Sequence, residues 1–244
     1  MRIIPVLDLK GGFIVRGIAG KRDLYKPIES RLCSSARPAE VAASLRGLLG
    51  PGPMYLADLD AIAGEAPALE VCVELEGLGF ELMIDAGIRS AASARQLAVE
   101  LDGDLIAALE TLPAPALLAE LVEELGAGRL IFSLDLADGR PLAPGDDWPS
   151  EAEEIAREAV SAGVERLILL DLKAVGTGEG PAHLERCAAL KESYAGLELV
   201  TGGGVRDLDD LLALRSVGVD GVLVASALHD GRLGSEELQG FLEA

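Results

Sequence analysis

The chain has 244 residues, half of them hydrophobic but only 3% aromatic, and its 21 Lys and Arg against 41 Asp and Glu give a formal charge of −20. The apolar content excludes a disordered acidic chain, and the charge speaks against nucleic acid or anionic membrane as a partner, since both are held by Lys and Arg. No apolar run reaches the roughly 18 residues of a spanning helix, the N-terminal run is too short for a signal peptide, and Cys33, Cys72 and Cys187 lie too far apart to suggest a disulfide framework or zinc site, so a cytoplasmic protein is expected.

Short Ile/Val/Leu-rich runs alternate with Ala/Leu/Glu-rich stretches of helical period. A strand over Ile3–Leu9 precedes a helix over Ala39–Leu49. Met54–Asp60 pairs in the same way with a helix over Ala66–Leu78, Glu81–Gly87 with Ser90–Leu101, and Asp104–Ala108 with Pro113–Leu125. Arg129–Leu136 leads to a helix over Ser150–Ala162, where Ser150 and Glu153 have capping-box spacing. Arg166–Lys173, Leu197–Gly203 with a helix over Asp207–Val217, and Gly221–Ser226 complete the series. Eight units of about 30 residues each have the size of a strand with its returning helix. They predict an α/β protein, a single (β/α)8 barrel, with a doubly wound open sheet as the structural alternative.

The chain also repeats itself. Glu81–Arg89 resembles Glu198–Arg206, with Gly87 and Gly204 standing 117 residues apart. Leu56–Ile62 echoes Leu169–Val175, and Leu7-Asp8-Leu9 echoes Leu134-Asp135-Leu136. Three matches in the same order predict two half-barrels, approximately residues 1–126 and 127–244.

Polar residues gather at the predicted C-terminal strand ends: Asp8, Lys10, Asp58, Asp60, Asp85, Ser133, Asp135, Asp171, Lys173 and Thr201. Active sites of such barrels lie at that face. The repeat sets Asp8 and Asp135 on opposite sides of one mouth, where two carboxylates can divide proton transfer, one ionised as base and one neutral as acid. That chemistry needs no metal or organic cofactor. Gly202-Gly203-Gly204 and the following Ala225-Ser226 form a candidate phosphate cradle, because glycine lets backbone N–H groups approach an anion. The corresponding first-half positions carry Asp85-Ala86-Gly87 and Ala108-Leu109-Glu110, which offer a poor cradle. The asymmetry favours a small monophosphate over a bisphosphate.

Ile4–Gly12, Tyr55–Ala61, Gly87–Ser90, Ser133–Asp135 and Gly202–Arg206 together resemble the histidine-biosynthesis barrels. These comprise the phosphoribosylformimino-aminoimidazole-carboxamide ribotide isomerase and the cyclase subunit of imidazole glycerol phosphate synthase, and the first strand is more similar to the isomerase. The resemblance implies an Amadori rearrangement of an aminoaldose to an aminoketose, with Asp8 as base, Asp135 as acid, and Gly203, Gly204, Ala225 and Ser226 on a phosphate. It further implies an aromatic after the fifth strand that stacks on the substrate's heterocycle, here Trp148, which as a residue reads equally well as a loop anchor. Val175-Gly176-Thr177 stands where the family has Asp-Gly-Thr, so Gly176 and Thr177 join the candidate binding residues and the missing acid marks a diverged branch.

Lys173, expected to point inward beside Asp171, has no counterpart in that pattern. A buried lysine can form a Schiff base with a carbonyl substrate, so a lyase or synthase is the rival chemistry, and an ion pair with Asp171 or Asp58 the plainer reading. A third possibility is a barrel that binds a phosphorylated metabolite without catalysis. His183 and His229 receive no role, no metal is assigned, and the protein is expected to be a monomer or homodimer.

Overall fold

The computed structural model describes residues 1–243, with side chains to residue 241; Ala244, the expected end of the second half-barrel, lies outside the described residues. Ten strands occur among the described residues: β1 (Arg2–Lys10), β2 (Phe13–Val15), β3 (Gly52–Asp58), β4 (Phe80–Asp85), β5 (Asp104–Ala108), β6 (Leu130–Ala137), β7 (Arg140–Pro141), β8 (Arg166–Asp171), β9 (Glu198–Gly202) and β10 (Gly221–Val224). Eight run parallel in the order β1-β3-β4-β5-β6-β8-β9-β10, and β10 pairs back onto β1 from Arg2 with Gly221 to Pro5 with Val224. The sheet is therefore a closed (β/α)8 barrel, as the eightfold rhythm predicts. The two extra strands, β2 and β7, are antiparallel hairpin returns on β1 and β6.

The helices are α1 (Pro38–Leu49), α2 (Leu59–Ile62), α3 (Leu69–Gly77), α4 (Ala91–Glu100), α5 (Pro115–Leu125), α6 (Ala152–Ser161), α7 (Leu184–Ser193), α8 (Leu208–Ser216), α9 (Ser226–His229) and α10 (Ser235–Glu243). Local chemistry sets their ends. Pro38 and Pro115 open α1 and α5, where a missing N–H costs nothing. The side chains of Ser90 and Asp207 cap α4 and α8 by accepting from Ser93 N and Asp210 N. The expected capping box at Ser150 does not form: α6 starts at Ala152, with Glu151 at its N-cap and no side-chain cap bond. The second predicted strand also stops two residues early, at Asp58, because that carboxylate accepts from Ala61 N and Ala68 N and turns the chain into α2.

The strands are buried on both faces. Leu7, Leu56, Ile84, Phe132, Leu169 and Val222 pack outward into the layer beneath the helices. Ile4, Ala57, Met83, Ile106, Ile131, Ile168, Val200 and Leu223 fill the barrel. Alternation along each strand thus decides which strand-end side chains reach the mouth.

Candidate active site

That alternation sends Asp8, Asp85 and Asp135 inward, in phase with Val6, Met83 and Ile131. All three line a cavity at the C-terminal ends of the strands that encloses about 960 Å³ of space, part of it open to solvent. Asp58 and Asp171 are out of phase and face away. Asp58 caps α2, and Asp171 holds loops together by accepting from Asp138 N, Gly139 N, Lys173 N and the His183 ring at 2.8 Å. Burial opposes ionisation of Asp171, yet the His183 bond and the three N–H groups hold its carboxyl below the usual carboxylate range. Asp171 is therefore a buried structural hub that lies outside the cavity lining.

Lys173 departs furthest from expectation. β8 ends at Asp171, so Lys173 lies in the following turn, where it is exposed and does not line the cavity; Leu172 lines it instead. A lysine outside the cavity is not placed to form a Schiff base with a carbonyl substrate held inside it. Lys173→Ala is accordingly expected to change turnover by less than about twofold, as exposed substitutions ordinarily do, when initial rates of the two proteins are compared.

The facing carboxylates differ in environment. Burial pushes Asp8 up to about 6 against the pull of Arg22, and no hydrogen-bond donor among the described residues reaches its carboxylate. Gly17 lies over it, where a Cβ would stand 2.9 Å from Asp8 Oδ2. Burial, reinforced by the charge of Glu110, drives Asp135 well above the ordinary carboxylate range, although Ser133 Oγ donates to it at 2.7 Å. Burial thus raises both carboxyls, Asp8 to about 6 and Asp135 well above the ordinary range with the added push of Glu110, and groups in unlike environments are what a division into base and acid requires.

Gly203, Gly204, Ala225 and Ser226 line the same cavity, as do Gly176 and Gly178. Gly203 and Gly204 have φ of +91° and +80°, and a Cβ on Gly204 would meet Gly180 O at 2.1 Å. No protein acceptor among the described residues takes the N–H of Gly203, Gly204 or Ser226. Gly202 lies just below, and the missing side chain leaves room for Leu223, whose Cβ would be 2.6 Å from an added one. Gly176 allows the segment after β8 to cross Gly17 O, where a Cβ would come within 2.1 Å; Ala19 N donates to Val175 O nearby. Thr177 is exposed, its hydroxyl donating to Ala174 O outside the cavity lining.

Trp148 lies in the core. It is 5% exposed, its ring stacks on Phe132 at 5.8 Å between centroids, and its Nε1 donates to Leu112 O at 2.9 Å. These are a loop anchor's contacts, and the indole does not reach the cavity lining in this structure.

Several lining residues receive no role in the sequence reading: Arg22, Tyr25, Tyr55 and Arg232; Glu110, read there as part of a poor cradle, lines the cavity as well. Arg22 comes from the long connection between β2 and α1 and forms an ion pair with Glu110; Lys10 Nζ fixes its position by donating to Arg22 O. Arg232 brings a cation near the glycines, with its Nη1 3.6 Å from where a Gly178 Cβ would stand. Arg232 follows α9 with no motif around it to announce a role.

A closed (β/α)8 barrel with inward acids at its mouth and a glycine cradle beside them defines a small-molecule site of the barrel-enzyme type. The family model described as "Histidine biosynthesis protein" matches residues 2–234, and the chain belongs to that family. An uncharacterized protein of Methanocaldococcus jannaschii is 34% identical over 98% of this chain and 97% of its own length. Two relatives named as 1-(5-phosphoribosyl)-5-(5-phosphoribosylamino)methylideneamino imidazole-4-carboxamide isomerases are similar over nearly their whole length. That of Deinococcus radiodurans is 31% identical over 95% of each chain. That of Moorella thermoacetica is 30% identical over 97% of this chain and 96% of its own.

Proposed function

We propose that this protein is an aldose–ketose isomerase that carries out an Amadori-type rearrangement of a phosphorylated aminoaldose. The observation that carries this reading is the pair Asp8 and Asp135, both inward in one cavity, with burial raising Asp8 to about 6 and Asp135 well above the ordinary carboxylate range. Asp135 gives its proton to the ring oxygen of the aminoaldose, and the ring opens to a protonated imine. Asp8 then takes the proton from C2, leaving an enolamine that becomes the aminoketose as Asp8 returns its proton to C1, the enol hydroxyl releases its proton and the carbonyl forms at C2. Both carboxyls regain their starting states as a proton returns through solvent, and no net oxidation occurs. The backbone N–H groups of Gly203, Gly204 and Ser226, with Arg232 nearby, hold the substrate's phosphate.

Membership of the family and the isomerase names of the relatives support the reaction class. Val175 in place of the family's acid, and the carboxylates Asp85 and Glu110 where the second half offers its cradle, support a substrate different from theirs. The test is conversion of N-(5-phosphoribosyl) aminoaldoses to ketose products by the purified protein, together with growth of a histidine auxotroph lacking the isomerase. Ketose formation that is lost in Asp8→Asn is the expected result. Folded protein that binds inorganic phosphate but rearranges no aminoaldose would overturn the proposal.

A further inference from the structure

The first half of the barrel keeps the backbone of a phosphate cradle and fills it with its own groups. Gly87 stands 117 residues before Gly204 in the repeat and has the same left-handed backbone, φ +66° against +80°. Gly204 N–H is open to the cavity, whereas Gly87 N–H donates to Asp85 Oδ1 at 3.1 Å. Asp85 takes the place of Gly202, so a carboxylate stands where the second half has no side chain. The other donors of this end are also consumed: Leu109 N donates to Ser133 O at 2.9 Å, and Glu110 N to Asp135 Oδ2 at 3.4 Å. Ala86, in place of Gly203, is absent from the residues with positive φ, so its N–H does not turn as Gly203's does.

A second phosphate would therefore find no free N–H donor among these groups. It would also meet Asp8, Asp85 and Glu110, while Arg22 is already paired with Glu110 and Arg89, beside Gly87, donates to Gly87 O and Ile62 O. The same arrangement suits a positively charged hydrogen-bond donor. Asp85 is buried, 3% exposed, and among the described residues its Oδ2 is reached only by Tyr55 Oη, at a long 3.4 Å, so its acceptor capacity is only partly used.

We propose that this end of the cavity binds an amine- or amidine-type cation, so that the substrate is a monophosphate bearing a positively charged nitrogen group at the end remote from its phosphate. The inference rests on the phosphate cradle assigned under Proposed function and deepens it, since it names what the rest of the substrate must carry. Asp85 is a specificity-determining residue in this account. It takes no part in moving protons between substrate atoms.

Reductive amination of ribose 5-phosphate with ethylenediamine or with 2-aminoethyl phosphate gives two stable aminoribitol phosphates that differ at the far end, ammonium in one and phosphate in the other. Calorimetric titration of each into wild-type protein, with inorganic phosphate as reference, reads the preference directly. The ammonium-ended compound is expected to bind at least about tenfold more tightly. Asp85→Asn, which keeps an acceptor for Gly87 N–H but not the charge, should shrink that preference to within about threefold. Equal or tighter binding of the phosphate-ended compound to the wild type, or a preference unaltered in Asp85→Asn, would overturn this inference alone. Failure of inorganic phosphate and both compounds to bind would instead remove the cradle, and both proposals with it. Binding is read without turnover, so the absence of isomerase activity would leave these outcomes unchanged.

Discussion

Asp8→Asn is expected to lower kcat by about a thousandfold, within the range that loss of a positioned general base produces, while the Kd for inorganic phosphate stays near that of the wild type. The amide cannot accept the C2 proton, yet it has nearly the volume of the carboxylate and leaves the glycine cradle untouched. The wild-type pH profile carries the second half of the expectation. Because Asp8 must be ionised, kcat/KM rises with pH and levels off above about 6. It falls again at the higher pH where Asp135, raised by burial and the charge of Glu110, loses its proton. Asp85, pushed up by burial to about 7, ionises in the same cavity, and its charge shapes the approach to the plateau. Asp8→Asn should abolish the acidic limb, and Asp135→Asn the alkaline one, with residual rates measured on the same aminoaldose. Retention of the acidic limb in Asp8→Asn would assign the base to another group.

The barrel was legible because its signal is repeated eight times. Each apolar run is short, each following stretch has a helical period, and closure follows from count and length. The two catalytic candidates were legible for a related reason, since Leu7-Asp8-Leu9 and Leu134-Asp135-Leu136 sit at matching places in the repeat. The phase of the sixth barrel strand was not. Leu167, Ile168, Leu169 and Leu170 are apolar on both faces because both are covered, so alternation cannot tell whether Asp171 points in or out. An inward Asp171 carried Lys173 inward with it, and the end of β8 at Asp171 removes both. Arg22 and Arg232 were illegible for another reason. Each reaches the cavity from a connecting segment whose path depends on tertiary contacts such as Lys10 Nζ to Arg22 O, and no periodicity encodes such contacts. Trp148 shows the limit of carrying a role across a resemblance, because placement after the right strand does not settle whether a ring faces cavity or core.

The inward acids also make a prediction about stability that is independent of any substrate. Burial raises Asp8 from its ordinary 3.8 to about 6, so the folded state holds its proton more tightly than the unfolded chain does. The stabilisation linked to that proton is complete below about pH 4 and is lost as the pH rises through about 6; at pH 8 ionised Asp8 costs the fold about 3 kcal/mol. Asparagine carries no such linkage. Asp8→Asn should therefore exceed the wild type in unfolding free energy by up to about 3 kcal/mol at pH 8, and the gap should narrow steadily as pH falls from 7 towards 4. Asp85→Asn should behave in the same sense with its window shifted upward, because Asp85 titrates near 7. The two gains should not add fully, since these carboxylates share a cavity and ionisation of one affects the other. Urea denaturation at pH 8, 6.5 and 4.5 checks the sign, and a gap that widens on acidification would contradict the placement of these groups. A catalytically impaired variant that is more stable at the pH where the wild type works best would connect the two measurements. The desolvation that opposes ionisation of Asp8 in the folded barrel also raises its basicity into the range useful to a base at neutral pH.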